Sequence, residues 1–245
     1  MTLRVAVLGA SGRMGRATCE AIENDPGMEL AAKLGRGADI AGLAGAVDVA
    51  VDFTLPSATQ ANVHALADAG IHAVVGTTGW TETSLRSVEE RLAGTDLGVV
   101  IAPNFALSAV LAMRFAAQAA KYFESAEVIE MHHPNKVDAP SGTAMHTARG
   151  IAAARTQAGL GAVPDATETG QEARGLDVEG VRVHAVRLRG LVAHEEILFG
   201  NPGEQLLIRT DSFDRSSFMP GVLLAIREVV SRPGLTVGLD PLLDL

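Results

Sequence analysis

The stretch Val5-Ala6-Val7-Leu8-Gly9-Ala10-Ser11-Gly12-Arg13-Met14-Gly15 decides how the rest of the chain is read. Residues 4–8 form a short apolar run rich in β-branched residues, the pattern of a strand buried on both faces. The run ends on three glycines spaced three apart, and residues 13–24 then carry a helical pattern that stops at Asn24-Asp25-Pro26-Gly27. A glycine at a strand end permits a tight turn and lets backbone N–H groups approach a pyrophosphate. The N-terminus of the following helix adds the positive end of its dipole. The spacing is GxxGxxG rather than GxGxxG. Its place directly between a strand and a helix points to a dinucleotide site over Gly9, Ala10, Ser11, Gly12, Arg13 and Met14.

Outward from this turn the same rhythm repeats. Glu29–Leu34, residues 48–54, Ile71–Val75 and residues 97–102 read as strands, and residues 56–69 and 81–93 as helices between them. Strands alternating with helices of about a dozen residues imply βαβ units and a Rossmann-like parallel sheet. The strand-end segments Gly76-Thr77-Thr78-Gly79 and Ala102-Pro103-Asn104-Phe105 fall where ligands of open α/β sheets bind. Beyond Phe105 the rhythm changes. A helix is expected over 107–121, a strand over 126–133, an Ala-rich helix over 141–155 and a long loop over 156–180. Strands then follow over 181–189, 192–199 and 204–211, with a final helix from Pro220 to just before Arg232-Pro233-Gly234. The apolar phase slips by one residue at Ala185-Val186, which predicts a β-bulge there. The fold class is therefore α/β, with a dinucleotide-binding domain over 1–104 and 213–245. A second, α+β domain with a largely antiparallel sheet covers 105–212.

Composition narrows the function. The 245 residues carry a formal net charge of −9 with 47% hydrophobic residues, too apolar for a disordered chain. That charge argues against general nucleic-acid or anionic-membrane binding, which needs clustered Lys and Arg. The single cysteine, Cys19, excludes an internal disulfide and any zinc site built on several thiolates. With neither a charged-then-apolar leader nor a run of about 18 apolar residues, the chain reads as a cytoplasmic protein without membrane spans.

Two segments carry the chemistry. After the second strand an acid usually holds the ribose 2′-hydroxyl of NAD, whereas an arginine accommodates the 2′-phosphate of NADP. Here Leu34 is followed by Gly35-Arg36-Gly37, so NADPH or NADH are both admissible, and Arg36, with Arg13, leans toward NADPH. The second segment is Glu130-Met131-His132-His133-Pro134-Asn135-Lys136-Val137-Asp138-Ala139-Pro140-Ser141-Gly142-Thr143. Ser141 is a good helix N-cap, so Ser141, Gly142 and Thr143 open a helix whose free N–H groups suit a carboxylate. Lys136 adds a positive point charge and His132 can carry a proton near neutrality. Adjacent histidines on a strand point to opposite faces, so no metal is expected. The other histidines, and the Arg182, Arg187 and Arg189 cluster, read as ordinary surface or core residues or a subunit contact.

Taken together these motifs resemble the 4-hydroxy-tetrahydrodipicolinate reductase (dihydrodipicolinate reductase) family of diaminopimelate and lysine biosynthesis. The resemblance covers nearly the whole chain, and residues 130–144 are close to the family signature. It implies NAD(P)H-dependent reduction of a small cyclic dicarboxylate, with hydride delivered to ring C4 and a proton from His132. It further implies Lys136 as a second proton-donating, substrate-contacting residue, and substrate contacts at His133, Gly142 and Thr143; the helix start adds Ser141 as a substrate-binding residue. Cofactor contacts are implied at Gly9–Met14, Gly76, Thr77, Thr78, Ala102, Pro103, Asn104 and Phe105. A homotetramer joined through the second domain's sheets is also implied. The competing readings are a related two-domain oxidoreductase on another small acid, and an NADP-sensing regulator, which has little reason to keep His132 and Lys136 together.

Overall fold

Apolar runs in the first hundred residues become strands covered on both faces. The computed structural model describes residues 2–168 and 171–243. Met1, Asp244 and Leu245 of the expected first domain, and Thr169 and Gly170 of the expected loop, lie outside the described residues. The chain opens with β1 (Leu3–Leu8), α1 (Arg13–Glu23), β2 (Met28–Leu34), β3 (Val49–Asp52), α2 (Pro56–Asp68), β4 (His72–Val75), α3 (Glu82–Leu92) and β5 (Gly98–Ile101). It continues with α4 (Leu107–Ala119), β6 (Ser125–His132), α5 (Gly142–Gln157), β7 (Leu176–Val178), β8 (Val181–Arg187), β9 (Ala193–Asn201) and β10 (Glu204–Ser212). It ends with α6 (Met219–Val229) and β11 (Gly234–Val237). Two compact units result. One runs to Leu107 and resumes at Arg215; the other spans Ser108–Asp214. The sequence reading placed these borders at 104/105 and 212/213.

The first unit is a six-stranded parallel sheet in the order β11-β5-β4-β3-β1-β2. Every residue of β3 and β5 is buried, as a parallel sheet between helices requires. The edge strand β2 alternates partly buried and exposed positions along most of its length. Strand β11 was not anticipated, because Gly234-Leu235-Thr236-Val237 is too short to carry a period of its own. It pairs with β5 at the sheet edge. The α1 helix crosses the end of β1 so closely that a Cβ on Gly15 would lie 2.1 Å from the Gly9 carbonyl oxygen. Gly9 itself has φ +77°, and a Cβ there would lie 2.5 Å from the Phe53 carbonyl oxygen. Only glycine meets both demands.

The second unit is a five-stranded sheet in the order β10-β9-β6-β8-β7. Its pairs are antiparallel except β6 with β8, which α5 joins as a crossover and which run parallel, so the sheet is mixed. One face packs under α4 and α5: Val128, Val183, Ile197 and Phe199 meet Ala112, Ala116, Ala148, Ile151 and Ala152. The small alanines let these helices lie close to the strands. The expected bulge at Ala185-Val186 is absent: β8 runs against β6 in unbroken register from Arg182 to Arg187. Val181, Val183, Ala185 and Arg187 share the helix-covered face, and Val186, 38% exposed, points outward. The phase slip misled because the inward position holds an arginine. The expected loop over 156–180 likewise contains β7.

Candidate active site

Two clusters of functional side chains stand out, one in each unit. In the first unit, the C-terminal ends of β1, β3, β4 and β5 lie side by side. The Gly9 and Ala10 N–H groups both donate to the Leu34 carbonyl, at 3.0 and 3.2 Å, so the Gly35-Arg36 turn starts against the glycine loop. Arg13, in the first turn of α1, and Arg36 are both exposed. The next two loops are organised by Asp52, which is fully buried. Its carboxylate accepts from the Thr54 N–H at 2.8 Å, the Thr54 hydroxyl at 2.6 Å, the Thr77 hydroxyl at 3.1 Å and the Asn62 amide at 2.9 Å. Gly76 is the tightest point, because a Cβ would lie 2.1 Å from the Phe53 ring. Phe53 meets Phe105 edge to face at 6.0 Å. The Ala102 N–H donates to Val75 at 2.9 Å, and Asn104 accepts from the Ala106 N–H at 2.9 Å. The result is a glycine-lined backbone cradle at the N-terminus of α1, with the exposed Arg13 on that helix and the exposed Arg36 just after β2. These groups fit a dinucleotide pyrophosphate and leave cations for a further phosphate.

In the second unit the segment 130–143 is built around one buried carboxylate. Glu130 has no solvent exposure. Arg187 grips it bidentately at 2.7 and 2.8 Å, the Ser141 N–H donates at 3.0 Å, and His132 Nδ1 lies at 2.6 Å. Four N–H donors on two oxygens satisfy the carboxylate completely. Burial pushes the Glu130 carboxyl upward, but the Arg187 and His132 hydrogen bonds outweigh that and hold it below the usual carboxylate range. An ionised Glu130 only accepts, so His132 Nδ1 carries hydrogen and Nε2 is the position left for chemistry. Burial keeps the His132 imidazolium below its ordinary range, against the pull of Glu130.

The same arginine reaches on. Arg187 also donates to the Asp138 carbonyl at 2.7 Å, tying the loop that carries Lys136 to the sheet. Lys136 Nζ lies 2.7 Å from Asp138 Oδ1, an exposed pair worth little in water and easily exchanged for another carboxylate. Ser141 caps α5 by accepting from the Ala144 N–H at 3.1 Å, which leaves Gly142 and Thr143 in the first turn. His133 is exposed. Thus His132, Lys136, Ser141, Gly142 and Thr143 belong to one hydrogen-bonded segment.

Glu130 and Asp52 were given no role from the sequence, and Arg187 was read only as part of an arginine cluster. Glu130 was findable, since it stands two residues before His132 and therefore on the same strand face. Arg187 is corrected from a solvated or subunit-contact residue to the partner of a buried charge. His64, His72, His184 and His194 are tied into hydrogen bonds within their own units. His194, for instance, has both ring nitrogens engaged, Nδ1 with Asp211 at 2.7 Å and Nε2 with the Val192 N–H at 3.1 Å.

A family model described as dihydrodipicolinate reductase, N-terminus, matches residues 3–105, and one described as dihydrodipicolinate reductase, C-terminus, matches residues 108–243. The 4-hydroxy-tetrahydrodipicolinate reductases of Beutenbergia cavernae and Nocardia farcinica are 68% and 58% identical to the chain, with 100% of each chain covered in both cases. Among solved structures, the dipicolinate-bound dihydrodipicolinate reductase from Paenisporosarcina sp. TG-14 is 36% identical with a TM-score of 0.90, covering 99% of this chain and 100% of that one. An amine dehydrogenase from Mycobacterium smegmatis is similar in fold alone, at 13% identity and a TM-score of 0.64, covering 98% of this chain and 96% of that one.

The buried charge makes a stability prediction. Arg187→Met strands Glu130 without its counter-ion and is expected to cost about 3–5 kcal/mol in urea unfolding at pH 7. Adding Glu130→Gln to it should recover most of that loss. Because the folded-state value of Glu130 is depressed, its contribution is complete above its unfolded value of about 4.3 and fades as pH falls below it. Glu130→Gln should therefore flatten the acid limb of the stability curve. An unchanged acid limb, or a stable Arg187→Met protein, contradicts the assignment.

Proposed function

The chain belongs to the dihydrodipicolinate reductase family, and we propose that it works as the 4-hydroxy-tetrahydrodipicolinate reductase of diaminopimelate and lysine biosynthesis. It is an oxidoreductase that uses a pyridine nucleotide. The reaction takes (2S,4S)-4-hydroxy-2,3,4,5-tetrahydrodipicolinate to tetrahydrodipicolinate with loss of water. The observation that carries the residue assignment is the imidazole of His132, fixed through Nδ1 by an ionised Glu130, in one segment with Lys136 and the N-terminus of α5.

When bound, the reduced nucleotide supplies the hydride that goes to ring C4; Gly9–Met14, Gly76–Thr78 and Ala102–Phe105 are the residues that would hold it. Lys136 exchanges Asp138 for a substrate carboxylate, and the N–H groups of Gly142 and Thr143 take a carboxylate at the start of α5, with Ser141 and His133 beside them. The substrate's two negative charges raise the proton affinity of His132, offsetting the effect of burial. His132 then gives the proton from Nε2 that completes the reduction. A positioned general acid of this kind contributes about 10²–10⁴ in rate.

Arg36, assisted by Arg13, favours NADPH over NADH, since no acid stands at the end of β2 to hold a 2′-hydroxyl. Self-association, as a homotetramer, uses the face of the second sheet opposite the helices. There Leu207, paired with Leu198, is 54% exposed and Val186 lies outward on β8. Among the described residues no helix is long and apolar enough to cross a membrane. A cytoplasmic location is our reading of the single cysteine, buried on α1.

Three measurements test this. In a coupled assay that generates the substrate from pyruvate and aspartate semialdehyde, His132→Gln should lower kcat at least about tenfold while substrate still binds. Lys136→Ala should raise KM and also cut kcat. Near-wild-type kcat/KM in both variants refutes the roles. Arg36→Ala should weaken NADPH by about 1.5–3 kcal/mol and NADH far less; equal loss for both refutes the phosphate contact. By light scattering, the wild type should run as a tetramer and Leu207→Glu as smaller species, and an unchanged mass removes that face as the contact.

A further inference from the structure

Glu195 is a buried carboxyl with no task in the reading above. Strand β9 sets it directly opposite Glu130 on β6, on the helix-covered face, and it is 5% exposed. Cross-strand partners place their Cβ atoms about 4.5–5.5 Å apart. His132 pairs with Ala193, so Glu195 is its diagonal neighbour, about 7–8 Å away. The two carboxyls are treated differently. Glu130 receives four N–H groups, whereas Glu195 Oε1 has no hydrogen-bond partner among the described residues.

The other contact of Glu195 is with Thr147 on α5. The Thr147 hydroxyl gives its single hydrogen to the Thr143 carbonyl at 3.1 Å. With that hydrogen on Thr143 the Thr147 oxygen can only accept, which suits a protonated Glu195; turned to Glu195, the same hydrogen favours the ionised carboxylate. Among the described residues the charge that acts on Glu195 is that of Glu130. From β10 it faces Thr210, whose hydroxyl bonds Ser108 at 2.7 Å. From α5 it faces the uncharged Thr147. The charges across β6 are Glu130 and His132, with Arg187 on β8 held by Glu130, and Lys136 beyond the strand paired with Asp138. Burial, against the hydrogen bond from Thr147 and with Glu130 adding to it, pushes the Glu195 carboxyl up to about 7.

We propose that Glu195 is a positioning residue for the proton on His132: a carboxylic acid beside Glu130 that releases its proton to solvent as the medium turns alkaline, and whose negative charge then keeps the His132 ring protonated. As it ionises, Thr147 turns its hydrogen from Thr143 to Glu195. Glu195 thus extends activity to higher pH. This rests on the reading of His132 as the acid.

The test is the pH profile of kcat/KM for wild type, Glu195→Gln and Glu195→Asp with the bound nucleotide. Alongside it goes a ¹⁵N NMR titration of the His132 ring, assigned by its loss in His132→Gln. Glu195→Gln keeps shape and cannot ionise. It should match wild type within about twofold at pH 6 and fall about fivefold below it at pH 8.5, with His132 losing its proton at lower pH. Glu195→Asp should restore the alkaline limb. Glu195→Gln and wild-type profiles that superimpose after scaling, with the same His132 midpoint, overturn the proposal and leave Glu195 as packing. If Glu195→Gln folds poorly, Glu195→Asp carries the test, since its alkaline limb should still track the His132 midpoint. Wild-type protein that folds but turns over no dicarboxylate defeats the functional reading instead, and the NMR comparison still decides the role of Glu195.

Discussion

A carboxylate removed from water must be paired, and the second unit is arranged around how Glu130 meets that demand. Leaving it unpaired would cost several kcal/mol. Its partners come from three separated parts of the chain: His132 on the same strand, Ser141 at the start of α5 and Arg187 at the end of β8. Satisfying one charge therefore fixes the tautomer of the imidazole, the start of α5, and the parallel register of β6 with β8. Arg187 passes the constraint to the Lys136 loop through the Asp138 carbonyl. The loop after β6 is thus held to the sheet that carries His132.

The first unit solves a different problem with backbone rather than charge. Its strand ends and the start of α1 approach one another only because side chains are missing where they would intrude, at Gly9, Gly15 and Gly76. Asp52 does for its loops what Glu130 does for the other segment. A buried acceptor collects Thr54, Asn62 and Thr77, so the turns after β3 and β4 hold one shape. In both units a buried acid supports the residues offered to a ligand without itself being offered.

Local features were legible in the sequence and distant ones were not. The glycine turn, the alternation of strand and helix and the Ser141 cap are carried by neighbouring residues, and each was read from spacing alone. Strands β7 and β11 span three and four residues and show no period, so only pairing reveals them. The false bulge at Ala185-Val186 has the same origin as the misreading of Arg187. An apolar pattern places arginine outside unless a buried carboxylate 57 residues away is known to call it in. His132 and Lys136 were visible as residue types, but what orients the His132 ring and fixes its tautomer is its contact with Glu130. The partner of a buried charge is a property of the fold.

The proposed activity is reduction of a dicarboxylate ring at C4 with hydride from a pyridine nucleotide. The most direct measurement is turnover of freshly generated substrate with reduced nucleotide deuterated at its transferable position, followed by NMR of the product. A single deuterium at product C4, formed as fast as nucleotide is oxidised, is the predicted result. Folded protein that oxidises no nucleotide, or that yields product without the label at C4, contradicts the account.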